Sequence, residues 1–205
     1  MPNTILFATR NAYKKRLFAP LFAAHGLDCL TLPDVGLRDR EIEENGDTPE
    51  ANALLKARAF AGARWPLVFG DDAGLEIDAL GGAPGLQARR WNGLFADNVD
   101  DETWLAFLLQ QLEGVPLAQR TARYVAAWAV ITPDGVEHVR RFYRPICIAE
   151  RPIRPIEPGS PMSAVEIPHE IDIDHVRAEI AAEWNEWGIW RYLNSGGDDV
   201  RAEMG

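Results

Sequence analysis

Cysteine is scarce in this chain of 205 residues, which contains only Cys29 and Cys147. Two cysteines outside any C-x-x-C pair are too few for a disulfide framework or a zinc cluster, so we expect both to be reduced core residues. No apolar run approaches the ~20 residues that cross a bilayer, and the N-terminus lacks the pattern of a signal peptide. These absences favour a cytoplasmic protein without a membrane partner.

Basic residues are also few, since Lys and Arg number 21 against 31 for Asp and Glu, giving a formal net charge of −10. Binding a nucleic-acid polymer needs a broad basic face, so the composition argues against that class of partner. A small anion is still compatible with this charge where a cationic pocket or a metal ion offsets it. The P-loop, dinucleotide-binding, zinc-protease and nucleophile-elbow motifs are missing as well, which argues against the enzymes built on them.

Short apolar segments alternate with segments of helical periodicity over the first two thirds of the chain. Strands are predicted at residues 4–8, 27–32, 67–69 and 75–80, and helices at 12–25, 51–63, 101–112 and 173–193. A hairpin is predicted from 122–131 and 136–148, joined by the turn Pro133-Asp134-Gly135. This order of elements predicts an α/β fold with a mixed sheet.

The first candidate site is the segment from Thr9 to Arg16, where a predicted strand gives way to a helix. Backbone N–H groups and the positive end of the helix favour an anion there. Thr9 and Asn11 can donate to phosphate oxygens, and Lys14 and Lys15 supply positive charge. A capped helix with a solvated basic first turn explains the same residues, so this pattern leaves both interpretations open.

Two acidic segments are candidates for a metal site, because hard cations prefer oxygen ligands. Glu43, Glu44 and Asp47 lie within five residues of a predicted loop, and an ordinary acidic surface loop is the alternative. Asp71 and Asp72 follow an apolar strand in a Gly-flanked segment that we expect to be a turn. Adjacent carboxylates are costly unless a metal or a donor compensates them, although a solvated hairpin turn is again the alternative.

Four segments, taken in order, resemble the inosine triphosphate pyrophosphatase family, whose members remove deaminated purine triphosphates. They are 5–14 (ILFATRNAYK), 42–61 (IEENGDTPEANALLKARAFA), 68–85 (VFGDDAGLEIDALGGAPG) and 122–135 (ARYVAAWAVITPDG). The resemblance implies an elongated mixed sheet flanked by helices, with two lobes and a central cleft. We expect a single nucleotide pyrophosphatase-like domain over residues 1–195, a flexible tail at 196–205, and a homodimer.

The resemblance also implies an activity, which is Mg²⁺-dependent hydrolysis of non-standard purine nucleoside triphosphates (ITP, XTP or dITP type) to the monophosphate and pyrophosphate. It places substrate-binding residues at Thr9, Arg10, Asn11, Lys14, Ala73, His175 and Arg177, and metal ligands at Glu43, Glu44 and Asp72. Asp72 falls on the carboxylate that orients or deprotonates the attacking water. Both roles agree with the chemistry, since Mg²⁺ offsets carboxylate and phosphate charge together.

The chain departs from the family pattern in the half of the site that binds the base. Ala73 stands where a serine usually follows the catalytic aspartate, and Leu17 replaces a glutamate. The C-terminal phenylalanine-glycine-tyrosine-aspartate-proline segment is not intact, and two segments could replace it: 143–146 (YRPI) or 159–165 (GSPMSAV). The terminal serine-histidine-arginine motif is matched only in altered form, by 174–177 (DHVR). Base preference is therefore expected to be altered.

Aromatic residues crowd the last predicted helix at Trp184, Trp187, Trp190 and Tyr192. Packing against the sheet or a dimer partner is one interpretation, and a base-stacking surface that replaces the missing aromatic is the other. Two alternatives to the implied activity also stand: a catalytically weak nucleotide-binding relative, and a pyrophosphatase acting on a different modified nucleotide.

Overall fold

The structure is a computed structural model that describes residues 3–96, 98–168, 173–189 and 192, with the backbone alone described at 173–177. Its helices are α1 (Ala12–Ala23), α2 (Pro49–Arg58), α3 (Asp101–Gln111) and α4 (Ile173–Glu186). Its strands are β1 (Thr4–Phe7), β2 (Asp28–Thr31), β3 (Val68–Ile77), β4 (Pro84–Gly85), β5 (Thr121–Ile131), β6 (Glu137–Ile148) and β7 (Glu166–Ile167).

The described strands form one mixed sheet in the order β2-β1-β3-β5-β6-β7, and β4 pairs with the far end of β3. β1 is parallel to both β2 and β3, whereas β3, β5 and β6 are mutually antiparallel neighbours. The predicted mixed α/β class and the hairpin are therefore confirmed. Among the described residues, no helix is long and apolar enough to span a membrane.

Polar side chains begin three of the helices. Asn11 caps α1, Thr48 caps α2 in front of Pro49, and Asp100 caps α3, each accepting from backbone N–H groups of the first turn. α2 ends at Arg58, five residues before the predicted end. The last predicted helix begins at 173 as expected, and its described part ends at Glu186.

The predicted turn at residues 70–74 is wrong, because β3 runs without interruption from Val68 to Ile77. The register with β5 is continuous from Val68 opposite Ile131 to Ile77 opposite Ala122. Close packing explains the two glycines that suggested a turn. A Cβ on Gly70 would lie 2.1 Å from the Ala53 carbonyl oxygen of α2, and one on Gly74 would lie 2.8 Å from the Gly85 oxygen.

The helices pack against the sheet through separate apolar clusters. α1 and α4 pack on one face with Phe7, Phe18 and Phe69, while α2 packs on the other face through Ala53 and Ala57. A further cluster joins α3 to the distal part of β3, β5 and β6 and to residues 149–165. Residues of both the α1 cluster and the α3 cluster line one cavity.

Trp184 of α4 and Trp187, which directly follows this helix, belong to this packing. Trp184 is 1% exposed and stacks on Phe22 at 5.5 Å between ring centroids, and Trp187 stacks on His138 at 5.1 Å. Packing is therefore the role that the structure gives these two residues. Trp190 lies outside the described residues.

Candidate active site

The ends of the strands determine where polar groups can converge. The β1–β3 register joins Leu6 to Val68 and Phe7 to Phe69, so β1 ends beside Phe69 while β3 continues for eight more residues. The loop after β1 therefore passes the edge of β3 next to Asp71 and Asp72. This arrangement explains how two adjacent acidic residues on opposite faces of a strand can both border one cavity.

The loop after β1 combines a helix cap with a cationic side chain. Asn11 Oδ1 accepts from the backbone N–H groups of Tyr13 (2.8 Å) and Lys14 (3.4 Å), and Thr9 Oγ1 accepts from Asn11 N at 3.2 Å. The capped helix start inferred as one interpretation is thus present. Lys14, whose side chain is 23% exposed, forms an ion pair with Asp71 and lines the cavity.

Lys15 lies on the surface and not in the cavity lining, contrary to the expectation that it adds charge beside Lys14. Its ammonium group pairs with Asp34 at 2.6 Å, and both side chains are about one third exposed. The hydrogen bonds from Lys15 and Thr31 lower the pKa of Asp34 to about 2. Successive residues on a helix point about 100° apart, so Lys14 and Lys15 cannot share one target.

Asp71 and Asp72 point to opposite faces of the sheet, as alternate positions of a strand must. Asp71 faces α1 and pairs with Lys14, whereas Asp72 faces α2. Asp72 Oδ1 accepts from Lys56 Nζ at 2.6 Å and its Oδ2 accepts from Asn52 Nδ2 at 3.3 Å. Both aspartates are about 5% exposed, so these donors compensate carboxylates that water barely reaches.

Lys56 is the functional candidate that sequence reasoning missed. It is 8% exposed and contacts both Asp72 (2.6 Å) and Glu44 (3.2 Å). Burial alone would lower the pKa of Lys56, but the carboxylates of Asp72 and Glu44 outweigh it, so the pKa stays above its ordinary value and the group is charged. The available signal was the i, i+4 spacing of Asn52 and Lys56, two polar residues on the Ala-rich face of α2.

Glu43 and Glu44 have different positions. Glu44 lines the cavity and reaches Lys56, while Glu43 is exposed and lies outside the described cavity lining. Glu44 and Asp72 thus converge on one ammonium group, an arrangement of oxygens that also suits a hard cation. Among the described residues, no group of three or more His, Cys, Asp or Glu side chains is placed to hold a metal by itself.

These side chains border a cavity of about 1270 Å³. The expected site residues in its lining are Thr9, Arg10, Asn11, Lys14, Glu44, Asp72 and Ala73. The side chains of His175 and Arg177 lie outside the described residues. The sequence motifs thus come together at one end of a cavity large enough for a nucleotide-sized ligand.

Both segments that could replace the missing family motif also border this cavity. Tyr143, Arg144 and Pro145 reach it from β6, and residues 159–162 reach it from the chain before β7. The second segment is tethered to the first helix, since Arg16 Nη2 donates to the Pro158 carbonyl at 3.2 Å.

Comparison with known proteins identifies relatives of this arrangement. The Ham1 family model matches residues 5–143. The dITP/XTP pyrophosphatase of Nitratidesulfovibrio vulgaris is 46% identical over 138 residues, which is 64% of this chain and 65% of that protein. The dITP/XTP pyrophosphatase of Bacillus subtilis is 40% identical over 128 residues, 62% of this chain and 63% of the relative. Each match spans less than two thirds of the relative's length.

Solved structures show the same fold over more of the chain. A crystal structure of the nucleoside-triphosphatase / dITP/XTP pyrophosphatase of Mycobacterium abscessus has a TM-score of 0.60 at 30% identity, covering 87% of this chain and 97% of that one. The Ham1 protein of Staphylococcus aureus has a TM-score of 0.64 at 25% identity, covering 88% and 99%. The structural match therefore includes most of the region beyond residue 143.

Proposed function

The chain belongs to the Ham1 family, and from this premise we propose that it hydrolyses nucleoside triphosphates to the monophosphate and pyrophosphate. One observation carries the proposal: Lys14–Asp71 and Lys56–Asp72–Glu44 converge on one cavity beside the loop after β1. Cations and carboxylates alternate there, so a triphosphate and a metal ion can both find partners. The names of the relatives support dITP or XTP as the type of substrate.

The donor set fits Mg²⁺, because this ion is usually held by one or two carboxylates together with substrate phosphates and water. Glu44 and Asp72 would be its protein ligands, since both already contact a single cationic group. Bound Mg²⁺ would offset the negative charge of carboxylates and phosphates together. Glu43, which is not among the residues of the described cavity lining, is not proposed as a ligand.

The remaining residues have roles that follow from their positions. Lys14 and the loop of Thr9 and Asn11 would hold the phosphates, and the hydrogen bond from Lys56 would fix the direction of the Asp72 carboxylate. Asp72 would then accept a proton from the attacking water as the water oxygen bonds to the α-phosphorus. The bond from that phosphorus to the bridging oxygen breaks, and pyrophosphate leaves.

Product analysis tests the proposal directly. With Mg²⁺ present, the protein should convert inosine and xanthosine triphosphates into equal amounts of monophosphate and pyrophosphate. Release of orthophosphate and a diphosphate would indicate another bond. Binding of the nucleotide without turnover would favour a catalytically weak nucleotide-binding relative and contradict the proposal.

The base preference is proposed to differ from that of relatives with an intact C-terminal motif and to be set by residues 140–193. Inosine and guanosine present the same 6-oxo edge, and where no hydrogen-bond partner distinguishes two bases, a site discriminates by only ~1–3 kcal/mol through shape. We expect kcat/KM values for inosine and guanosine triphosphates to lie within a thousandfold of each other. The measurement compares inosine, xanthosine, guanosine, adenosine and pyrimidine triphosphates at one Mg²⁺ concentration. A thousandfold preference for inosine over guanosine would contradict this expectation.

Lys14→Ala tests the phosphate end of the cavity. The ligand is a nucleoside triphosphate in which a methylene group replaces the α,β-bridging oxygen. Loss of the Lys14 side chain should weaken the binding free energy of this ligand by roughly 1.5–3 kcal/mol, the range for hydrogen bonds to charged groups. Affinity for the nucleoside should be unchanged, because no phosphate is present to contact. Calorimetric titration of both ligands gives the two values. Lys15→Ala, which removes the neighbouring surface lysine, is the control, and equal losses for triphosphate and nucleoside would place Lys14 outside the phosphate site.

A further inference from the structure

The acidic end of the cavity is the part bordered by Glu44, Asp71 and Asp72. A second polar cluster consists of Tyr124, Arg144 and Glu166. Glu166 is 1% exposed and accepts from Tyr124 Oη at 2.9 Å and from Arg144 Nη2 at 2.8 Å. The guanidinium group of Arg144 lies over the Tyr124 ring, 4.8 Å from its centroid. Tyr124 and Arg144 are directly opposite each other on β5 and β6, so the sheet, the ring and the carboxylate together fix the guanidinium plane.

This fixed guanidinium has donor capacity left over. Within the described residues, Arg144 Nη1 is buried and has no hydrogen-bond partner. Arg144 and Tyr124 line the cavity, whereas Glu166 is not in the described lining and supports them from behind. Arg144 Nη1 is therefore a donor beside the cavity that a bound ligand would satisfy.

The cluster is displaced from Asp71 both along β3 and across the sheet. Tyr124 is opposite Leu75, four residues along β3 from Asp71, and this separation corresponds to about 13 Å. β6 lies two strands away from β3, which adds roughly 10 Å across the sheet. A triphosphate held at Lys14 and Asp72 would therefore extend its sugar and base along the cavity towards Arg144.

We propose that Arg144 determines base specificity by donating to the adjacent acceptors O6 and N7 of a 6-oxopurine. The inference rests on the proposed function and names the residue that selects the base. A guanidinium group pairs with O6 and N7 of a 6-oxopurine through two parallel hydrogen bonds. Adenine presents an N6 amino donor in place of O6, so one guanidinium donor would face another donor and remain unsatisfied.

The test compares kcat/KM for inosine, guanosine and adenosine triphosphates in the wild type and in Arg144→Lys. Lysine retains a positive charge beside Glu166 but lacks the planar pair of donors. The wild type should prefer both 6-oxopurines over adenosine triphosphate. In the variant this preference should fall about tenfold to a hundredfold. The fall should come from a lower kcat/KM for inosine and guanosine triphosphates, while kcat/KM for adenosine triphosphate stays almost constant. Arg123→Lys is the matched control, because Arg123 pairs with Glu76 and Asp78 outside the described cavity lining.

Two outcomes would overturn the proposal. The first is a wild-type protein that shows no preference for 6-oxopurine triphosphates over adenosine triphosphate. The second is an Arg144→Lys protein that loses activity equally on all three substrates. A double variant, Arg144→Met with Glu166→Gln, removes both charges of the pair and should show the same loss of preference. A wild type that hydrolyses none of the triphosphates would instead contradict the proposed function, so the two failures are distinguishable.

Discussion

Asp72→Asn is expected to lower kcat/KM for triphosphate hydrolysis by about 10²–10⁴-fold, the usual contribution of a positioned general base. The amide cannot accept a proton from water, and it is a poorer ligand than a carboxylate for Mg²⁺. The fold should be retained, because an asparagine of the same shape can still accept from Lys56 through its one side-chain oxygen, and only the longer hydrogen bond from Asn52 is lost. Steady-state rates at saturating Mg²⁺, together with thermal unfolding, measure the two effects separately.

Asp78→Asn is the matched control for this substitution. Asp78 follows β3 directly, its side chain is 51% exposed, and it contacts Thr121 and Arg123 outside the described cavity lining. Its loss should leave hydrolysis unchanged. Wild-type turnover by Asp72→Asn at saturating Mg²⁺ would remove Asp72 from the mechanism.

Lys56→Met is expected to have the largest effect on stability. It removes the cation that compensates Asp72 and Glu44 and leaves buried carboxylate charge without its partner. Breaking a buried pair in this way costs about 3–5 kcal/mol, and because the Glu44 side chain is 33% exposed we expect about 3 kcal/mol. Chemical denaturation with and without Mg²⁺ gives the free energy of unfolding. Mg²⁺ should restore more stability to the variant than it adds to the wild type, since the ion would take over the role of the ammonium group.

Lys15→Met provides the comparison, because the Lys15–Asp34 pair is solvent-exposed. An exposed ion pair contributes about 0–1 kcal/mol, so the free energy of unfolding of this variant should be close to that of the wild type. Equal stabilities for the Lys56→Met and Lys15→Met proteins would show that Lys56 is not essential for holding the acidic end of the cavity together.

The acidic end of the cavity could be predicted from the sequence to a large extent, because its residues lie in short local patterns. Thr9, Asn11 and Lys14 occur within one loop and one helical turn, and Asp71 and Asp72 are adjacent. Which glutamate reaches the site could not be predicted, since Glu43 and Glu44 are equivalent in the sequence of an irregular loop. Lys56 was missed because a lysine in an Ala- and Leu-rich helix is normally a solvated residue.

The sequence by itself determined the order of the long strands and helices, the capped start of α1 and the mixed α/β class, because these depend on local periodicity and on side chains within a few positions. Only the tertiary structure decided that 68–77 is one strand, since its glycines are explained by contacts with Ala53 and Gly85, which are distant in sequence. The same holds for the pairing of Arg144 with Glu166, 22 residues apart. Contacts of this kind depend on sheet register and on the close approach of separate elements, which a linear pattern does not specify.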